Sequence, residues 1–228
     1  MSVPRAVVFD AVGTLITPAS DVGSIYAAAG AQHGSTLGVE EITSRFRLAR
    51  NRVFSADNSE EGLKTSDADQ RQKWHQLVTS VFDDVPEPEP LFEKLWTTFS
   101  EPLMWRVYPD AQPAITELLQ AGFIVAIGSN FDSRLHRIVA GLPELHDIQH
   151  IFTSAELGHA KPSPRFFRGI ETAISVPASE CLMIGDDEIC DRIGATDAGW
   201  TGLLLDRQRA TPDIANGIIR DLTELPGP

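Results

Sequence analysis

Three apolar runs in this chain stop on polar residues. "AVVF", Ala6 to Phe9, stops on Asp10. "FIVAIG", Phe123 to Gly128, stops on Ser129 and Asn130. "CLMIG", Cys181 to Gly185, stops on Asp186 and Asp187. A lysine, Lys161 in "HAKPSP", stands before a proline and a helical pattern. If the runs are neighbouring strands of a parallel sheet, their carboxyl ends meet at one edge and distant residues share one pocket. The collected groups are several carboxylates, a hydroxyl and an ammonium. Close carboxylates repel unless a cation joins them. A hard ion such as Mg²⁺ does this, usually through one or two carboxylates with waters and a phosphate. A carboxylate can also attack phosphorus and form an aspartyl-phosphate. Ser129 and Lys161 would then hold the oxygens of the transferring group and offset its growing charge.

The elements that must position these groups are legible in the hydrophobic pattern. The three runs, and a fourth at Thr201 to Leu205 ("TGLLL"), are continuous rather than alternating, which suits strands covered on both faces. Ile151 and Phe152 mark a further short strand. Helical patterns lie between. "DAQPAITELLQAG" offers Asp110 as an N-cap and Gly122 as a stop. "SPRFFRGIETAI" and "DEICDRIGATDAG" supply two more helices. Alternating strand and helix predict an α/β fold, a Rossmann-like doubly wound parallel sheet.

The segment from Thr17 to Trp105 reads differently, with no convincing strand. Val22, Ile25, Tyr26 and Ala29 recur at helical spacing, as do Ile42, Phe46, Ala49 and Val53, and then Trp74, Leu77, Val78 and Val81. Ser66 and Asp69 resemble a capping box for the third of these helices. Prolines 86, 88 and 90 interrupt the pattern before "LFEKLWTTF". The expected organisation is a core of residues 1–16 and 106–228 with an all-helical cap, 17–105, over the crevice where ligands bind.

Composition narrows the partners. A chain of 228 residues with 42% hydrophobic and 22% charged residues is that of a globular domain able to bury a sizeable core. The net charge of −13 argues against nucleic acid and against an anionic membrane surface. A small phosphorylated or related anionic substrate needs only a locally positive pocket or a metal. No apolar run approaches the ~20 residues of a membrane span, and the first residues lack the pattern of a secretory signal. Two cysteines, Cys181 and Cys190, do not make a disulfide framework. A cytoplasmic location is therefore expected.

Taken in order, "FDAVGTL", "GSN", "AKPSP" and "GDDEICD" resemble the four motifs of the haloacid dehalogenase superfamily of hydrolases. The resemblance spans the core, and a helical insert after the first motif is also typical of that family. It implies Asp10 as nucleophile and metal ligand, the backbone carbonyl of Val12 as a second ligand, and Asp186 as the main acidic ligand of the last motif. Asp187 and Asp191 become additional ligands or groups that orient them. Ser129 and Asn130 would contact the phosphoryl group, and Lys161 both the nucleophile and the phosphoryl oxygens. Mg²⁺ is the implied cofactor.

One position departs from the family's phosphatases. They usually carry Asp where this chain has Val12, as acid for the leaving group and base for water. Loss of such a group typically costs on the order of 10²–10⁴ in rate. Haloacid dehalogenases and phosphonate-cleaving relatives also lack that Asp. The dehalogenases, however, are metal-free and carry serines and an asparagine in place of the acidic cluster. The phosphonate-cleaving enzymes need a lysine in the cap, where this chain has only Lys64, Lys73 and Lys94. The stretches "SIYAAAGAQHG" and "SNFDSRL" resemble a subgroup that also lacks the second Asp. A weak or unusual phosphatase is the expectation. Phosphonate or C–halogen cleavage at the same site, or a non-catalytic phosphate-binding module, stand as alternatives.

Other side chains have plainer readings. Arg45, Arg47, Arg50 and Arg52 point around several faces and read as a solvated surface. His33 and His75 read as surface or packing residues. His159, two residues before Lys161, is the candidate substitute for the missing acid–base group. Trp74, Trp96 and Trp105 read as packing residues of the insert.

Overall fold

The computed structural model describes residues 4–54, 59 and 61–225. In chain order the strands and α-helices are β1 (Ala6–Phe9), β2 (Ile16–Pro18), α1 (Val22–Gln32), α2 (Val39–Val53), α3 (Asp67–Val81), α4 (Pro88–Thr98), β3 (Trp105–Val107), α5 (Ala111–Gln120), β4 (Ile124–Ser129), α6 (Arg134–Ala140), β5 (His150–Thr153), α7 (Ser154–Leu157), α8 (Pro164–Ile174), β6 (Cys181–Gly185), α9 (Gly194–Asp197), β7 (Thr201–Leu205) and β8 (Ile218–Ile219). Among the described residues no helix is long and apolar enough to cross a membrane.

The main sheet has six parallel strands in the order β5-β4-β1-β6-β7-β8. The chain builds outward from β1 through β4 to β5, then returns to the other side of β1 for β6, β7 and β8. Direction reverses around β1, and in such sheets the crevice at that reversal is where ligands bind. The central strands are apolar throughout because both faces are covered. Val7, Phe9, Val125, Ile127, Leu182 and Ile184 belong to one core layer. Ala6, Val8, Ala126, Cys181 and Met183 belong to the other. Helix α5 covers the first layer with Ala111, Ala114, Ile115 and Leu118, a spacing of three and four that makes one face. Helix α8 covers the second with Phe166, Phe167, Ile170 and Ile174.

Local signals are met with some differences. Asp110 stands at the N-cap of α5 but makes no capping bond. Its Oδ2 instead accepts from Arg207 Nη1 at 2.9 Å and from the Leu222 amide at 2.8 Å, tying two later segments to the sheet edge. Gly122 follows α5 at φ +87°, where a side chain would be strained. Pro88 and Pro90 lie in the first turn of α4 rather than before it, where their missing N–H groups have no helical partner to lose. The acidic "DEICDRI" stretch forms a π-helical turn, Glu188–Ile193, before the short α9. Strand β8, only two residues long, carries no readable pattern.

Between β1 and the rest of the sheet, α1 to α4 pack around a core of their own that includes Tyr26, Ile42, Leu77, Val81, Phe82 and Phe92. Ser66 caps α3 by accepting from the Asp69 amide at 3.2 Å. The segment is not wholly helical at its ends. β2 pairs antiparallel with β3, so Thr17, Pro18 and Trp105 lie in a two-stranded ribbon through which the chain enters and leaves the helices. Three-residue strands are too short to show a period of two, which is why the sequence hides them.

Phe166 is fully buried against the sheet, and its ring lies 5.7 Å from Lys161 Nζ. Phe166→Ala is expected to lower stability by about 3–5 kcal/mol through the cavity it leaves, read as a lower urea midpoint in equilibrium unfolding.

Candidate active site

Three strand ends bring the polar groups together. Phe9 pairs with Ile127 on one side and Ile184 on the other, so β1, β4 and β6 finish within two residues of one another. Asp10 follows β1 directly and its amide donates to Ile184 O at 2.8 Å. Ser129 ends β4, and Asp186 follows β6. Lys161 arrives from the loop between α7 and α8.

Lys161 is the centre of the arrangement. It is 2% exposed, yet its ammonium is fully satisfied. Nζ donates to Asp10 Oδ1 at 2.8 Å, to Asp191 Oδ1 at 2.6 Å and to Gly128 O at 2.9 Å. An ammonium has three donors, and all three are used. Burial alone would lower the pKa of Lys161, but the charges of Asp10 and then Asp191 outweigh it and hold the group above its ordinary value. The lysine therefore stays charged, and Asp10 faces a fixed cation across a short bond.

The loop carrying Lys161 is held from two directions. Asn130 Nδ2 donates to Lys161 O at 3.0 Å, and the Lys161 amide donates to Asn130 Oδ1 at 2.8 Å. The Asn130 amide group is thus engaged with this backbone. From the insert, the Ala160 amide donates to Leu63 O at 2.8 Å and the Thr65 amide to Gly158 O at 3.1 Å. A third tie runs from the Ser133 amide to Asp67 Oδ1 at 2.8 Å.

Asp10, Asp186 and Asp191 each offer an oxygen, all within 4.8 Å of one another. Their commitments differ. Asp191, 1% exposed, gives Oδ1 to Lys161, and its Oδ2 accepts from the Asp187 amide at 3.0 Å. Asp187 lies outside this trio. Its Oδ1 accepts from the amides of Ile189 and Cys190, which starts the π-helical turn carrying Asp191. Gly13 lies against Asp186 at φ +95°, and a Cβ there would collide with the Asp186 carboxylate. The first loop thus approaches Asp186 as only glycine allows. Desolvation, then the charges of Asp10 and Asp191, push Asp186 up to about 7. Burial likewise raises Asp191, against the pull of Lys161. Three crowded carboxylates beside one cation are a donor set short of positive charge, and hard oxygen ligands at this spacing suit a divalent ion such as Mg²⁺.

These groups form the floor of a cavity of about 550 Å³ roofed by the helical insert. Ser129, Asn130 and Val12 line it with Asp10 and Lys161. His159 is not among the lining residues. Arg50 does line it, whereas Arg45 is engaged with Glu41 and Asp83, and Arg52 with Ser80. All three tryptophans of the insert region, Trp74, Trp96 and Trp105, line the cavity as well as packing. Of the four lysines only Lys161 reaches it; Lys64, Lys73 and Lys94 do not. Neither cysteine is an activated thiol. Burial pushes both Cys181 and Cys190 up to about 12.

Sequence reasoning passed over Arg134. Its guanidinium grips Asp132 with Nε to Oδ1 at 2.7 Å and Nη2 to Oδ2 at 2.8 Å. It lies 3.3 Å from the centroid of the Trp96 ring and donates to Trp96 O at 3.3 Å. It thereby joins α6 to the insert at the cavity wall. The only signal was the stretch "SNFDSRL", in which the aspartate and arginine stand two residues apart.

A family model described as haloacid dehalogenase-like hydrolase matches residues 4–199. The chain is 31% identical to the haloacid dehalogenase-like hydrolase domain-containing protein 3 of Mus musculus, over 88% of this chain and 81% of that one. It is 36% identical to Phosphatase MT3486 of Mycobacterium tuberculosis, over 52% of this chain and 54% of that one. Among solved structures, the putative HAD-hydrolase YfnB of Bacillus subtilis, bound to magnesium, superposes with a TM-score of 0.75 at 20% identity, covering 98% of this chain and 97% of that one.

The raised Asp186 carboxyl has a measurable consequence. Its folded value near 7 exceeds the ordinary 3.8, so between about pH 4 and 7 the folded chain holds the extra proton. Stability in chelator-containing buffer should fall as pH rises through that window. Thermal melts should show the decline in the wild type and a flatter profile in Asp186→Asn.

Proposed function

The chain belongs to the haloacid dehalogenase-like hydrolases, and on that footing we propose that it hydrolyses a small phosphate monoester with Mg²⁺ through an aspartyl-phosphate on Asp10. The observation that carries this reading is the state of Asp10. One carboxylate oxygen is held by a buried, charged lysine, while Oδ2 has no hydrogen-bond partner among the described residues and the side chain lines the cavity. An oxygen anchored by Lys161 keeps the group oriented with its other oxygen free, which is what a nucleophile requires.

In this reading each group has one task. Asp10 attacks phosphorus. Ser129, at the end of β4, offers its hydroxyl to a phosphoryl oxygen. Lys161 holds Asp10, and Asn130 holds the Lys161 loop. Asp10 and Asp186, with the Val12 carbonyl, would bind Mg²⁺, and Asp187 and Asp191 would orient that set. Mg²⁺ there would neutralise the crowded carboxylates and draw charge from the phosphoryl oxygens. The helical segment 17–105 serves as a cap that excludes water and selects substrate. The relative named a phosphatase and the magnesium-bound fold neighbour are in keeping with this assignment. A Schiff-base route is disfavoured, since no insert lysine lines the cavity.

Val12 shapes the kinetics. It lines the cavity near Asp10 and has no proton to give or take. Departure of the leaving group then relies on its own acidity or on water, and attack of water on the aspartyl-phosphate lacks a base. The second step is slowed along with the first.

Two experiments test this. With Mg²⁺ and a panel of phosphate monoesters, turnover should appear and should vanish both with chelator and in Asp10→Asn. A wild type inactive on every ester and indistinguishable from Asp10→Asn would sink the proposal. With an ester whose leaving group is acidic enough to depart unaided, only the second step stays slow, and rapid mixing should show a burst of product equal to the enzyme present, followed by slow turnover. Val12→Asp should shrink the burst and raise steady turnover by about 10²-fold, within the usual worth of a general acid–base group.

A further inference from the structure

Nine of the 25 residues lining the cavity are aromatic, in a chain whose aromatic content is 7%. Phe46, Trp74, Trp96, Phe99 and Phe131 are only half-buried although they sit in packed elements, because they border the cavity. Their rings meet at steep angles. Phe54 and Trp74 are 4.9 Å apart and tilted 54°; Trp105 and Phe131 are 6.2 Å apart at 72°. Tilted and edge-to-face rings of this kind can take a further planar ring in the same geometries. The Arg134 guanidinium stacked on Trp96 holds one wall in place.

Polar partners on the insert side are few. Arg50 and Gln70 are the insert residues with wholly polar side-chain ends that line the cavity, beside the Tyr26 hydroxyl and the indole N–H groups of the tryptophans, and Gln70 Nε2 already donates to Thr65 Oγ1 at 3.0 Å. A sugar phosphate would bury several hydroxyls against a mostly aromatic wall with few partners, which is unfavourable. Room is not the constraint, since about 550 Å³ lies within the usual range for small-molecule sites.

A second observation leads to the same chemistry. Val12 supplies no acid, so the leaving oxygen departs most readily when it is stable as an anion. A phenol ionises at roughly 10, whereas an alkyl alcohol is nearer to water at about 15.7. We propose that the substrate is a phosphate ester of a phenol, with its ring in the aromatic cavity and its ester oxygen leaving as a phenolate. This rests on the phosphatase reading above. An Asp10 oxygen bonds to phosphorus, the ester P–O bond breaks, and its electron pair stays on the phenolate, which solvent then protonates. Water next adds to phosphorus and the bond to Asp10 breaks. Inorganic phosphate and a proton are released and the carboxylate is regenerated.

The test separates ring from leaving group. With Mg²⁺, kcat/KM is measured for 1-naphthyl phosphate, 2-naphthylmethyl phosphate (a ring with an alkoxide leaving group), acetyl phosphate (an acidic leaving group without a ring) and glucose 6-phosphate. Naphthyl phosphate should exceed each of the middle two by about 10-fold and glucose 6-phosphate by about 10²-fold. Binding of 1-naphthylphosphonate and propylphosphonate is measured in parallel by calorimetry. The aryl compound should bind about 10-fold tighter. That margin should disappear in Trp74→Ala and survive in Trp74→Phe. Equal affinities, or glucose 6-phosphate turned over as well as naphthyl phosphate, would overturn the inference while the phosphatase reading stood. Absence of all turnover with the aryl margin intact would overturn the hydrolytic reading and support the ring site alone.

Discussion

A buried ammonium with three acceptors organises this molecule. Lys161 joins the end of β1 through Asp10, the end of β4 through the Gly128 carbonyl, and the turn after β6 through Asp191. Removing such a cation would strand two carboxylates out of water, a change that typically costs about 3–5 kcal/mol. The surroundings show how firmly the position is specified. Asn130 clamps the lysine's own backbone, Phe166 lies beneath the ammonium, and strand β4 passes Val8 so closely that a side chain at Gly128 would not fit. The same bonds that satisfy the lysine leave one Asp10 oxygen uncommitted at the cavity, which is the geometry an attacking carboxylate needs.

The insert is coupled to this centre through backbone hydrogen bonds as well as through packing. Leu63 and Thr65 bond the residues just before Lys161, and Asp67 accepts from the amide of Ser133 at the start of α6. Any movement of the helices over the cavity must therefore act on the loop that carries the ammonium. Arg134 adds a link of a different kind, fixed to Asp132 on its own element and stacked on Trp96 of the insert.

Much of the site could be read from the chain because strand ends are visible in a sequence. Asp10, Ser129 and Asp186 each follow an apolar run, and parallel pairing obliges those ends to meet. Other roles could not be read in that way. Asp186, Asp187 and Asp191 look alike as letters. Their different placements separate them: the end of β6 brings Asp186 beside Asp10, while the π-helical turn that follows turns Asp187 back onto the amides of Ile189 and Cys190 and places Asp191 against Lys161. Asn130 reads as a phosphate contact by position, while its amide is in fact engaged with the backbone of Lys161. Trp74, Trp96 and Trp105 read as packing because helical spacing reports the buried face and is silent about what that face borders.

By itself the sequence determined the α/β class, the helical nature of the insert, and the residue types gathered at one edge of the sheet. Those follow from local periodicity and from the rule that parallel strands align their ends. The tertiary structure alone decided which carboxylate holds the lysine, which remain open, how Gly13 admits Asp186, and that the insert's aromatic residues wall a cavity above Asp10. Each of these depends on distances between segments far apart in the chain, set by packing of side chains that no local pattern encodes.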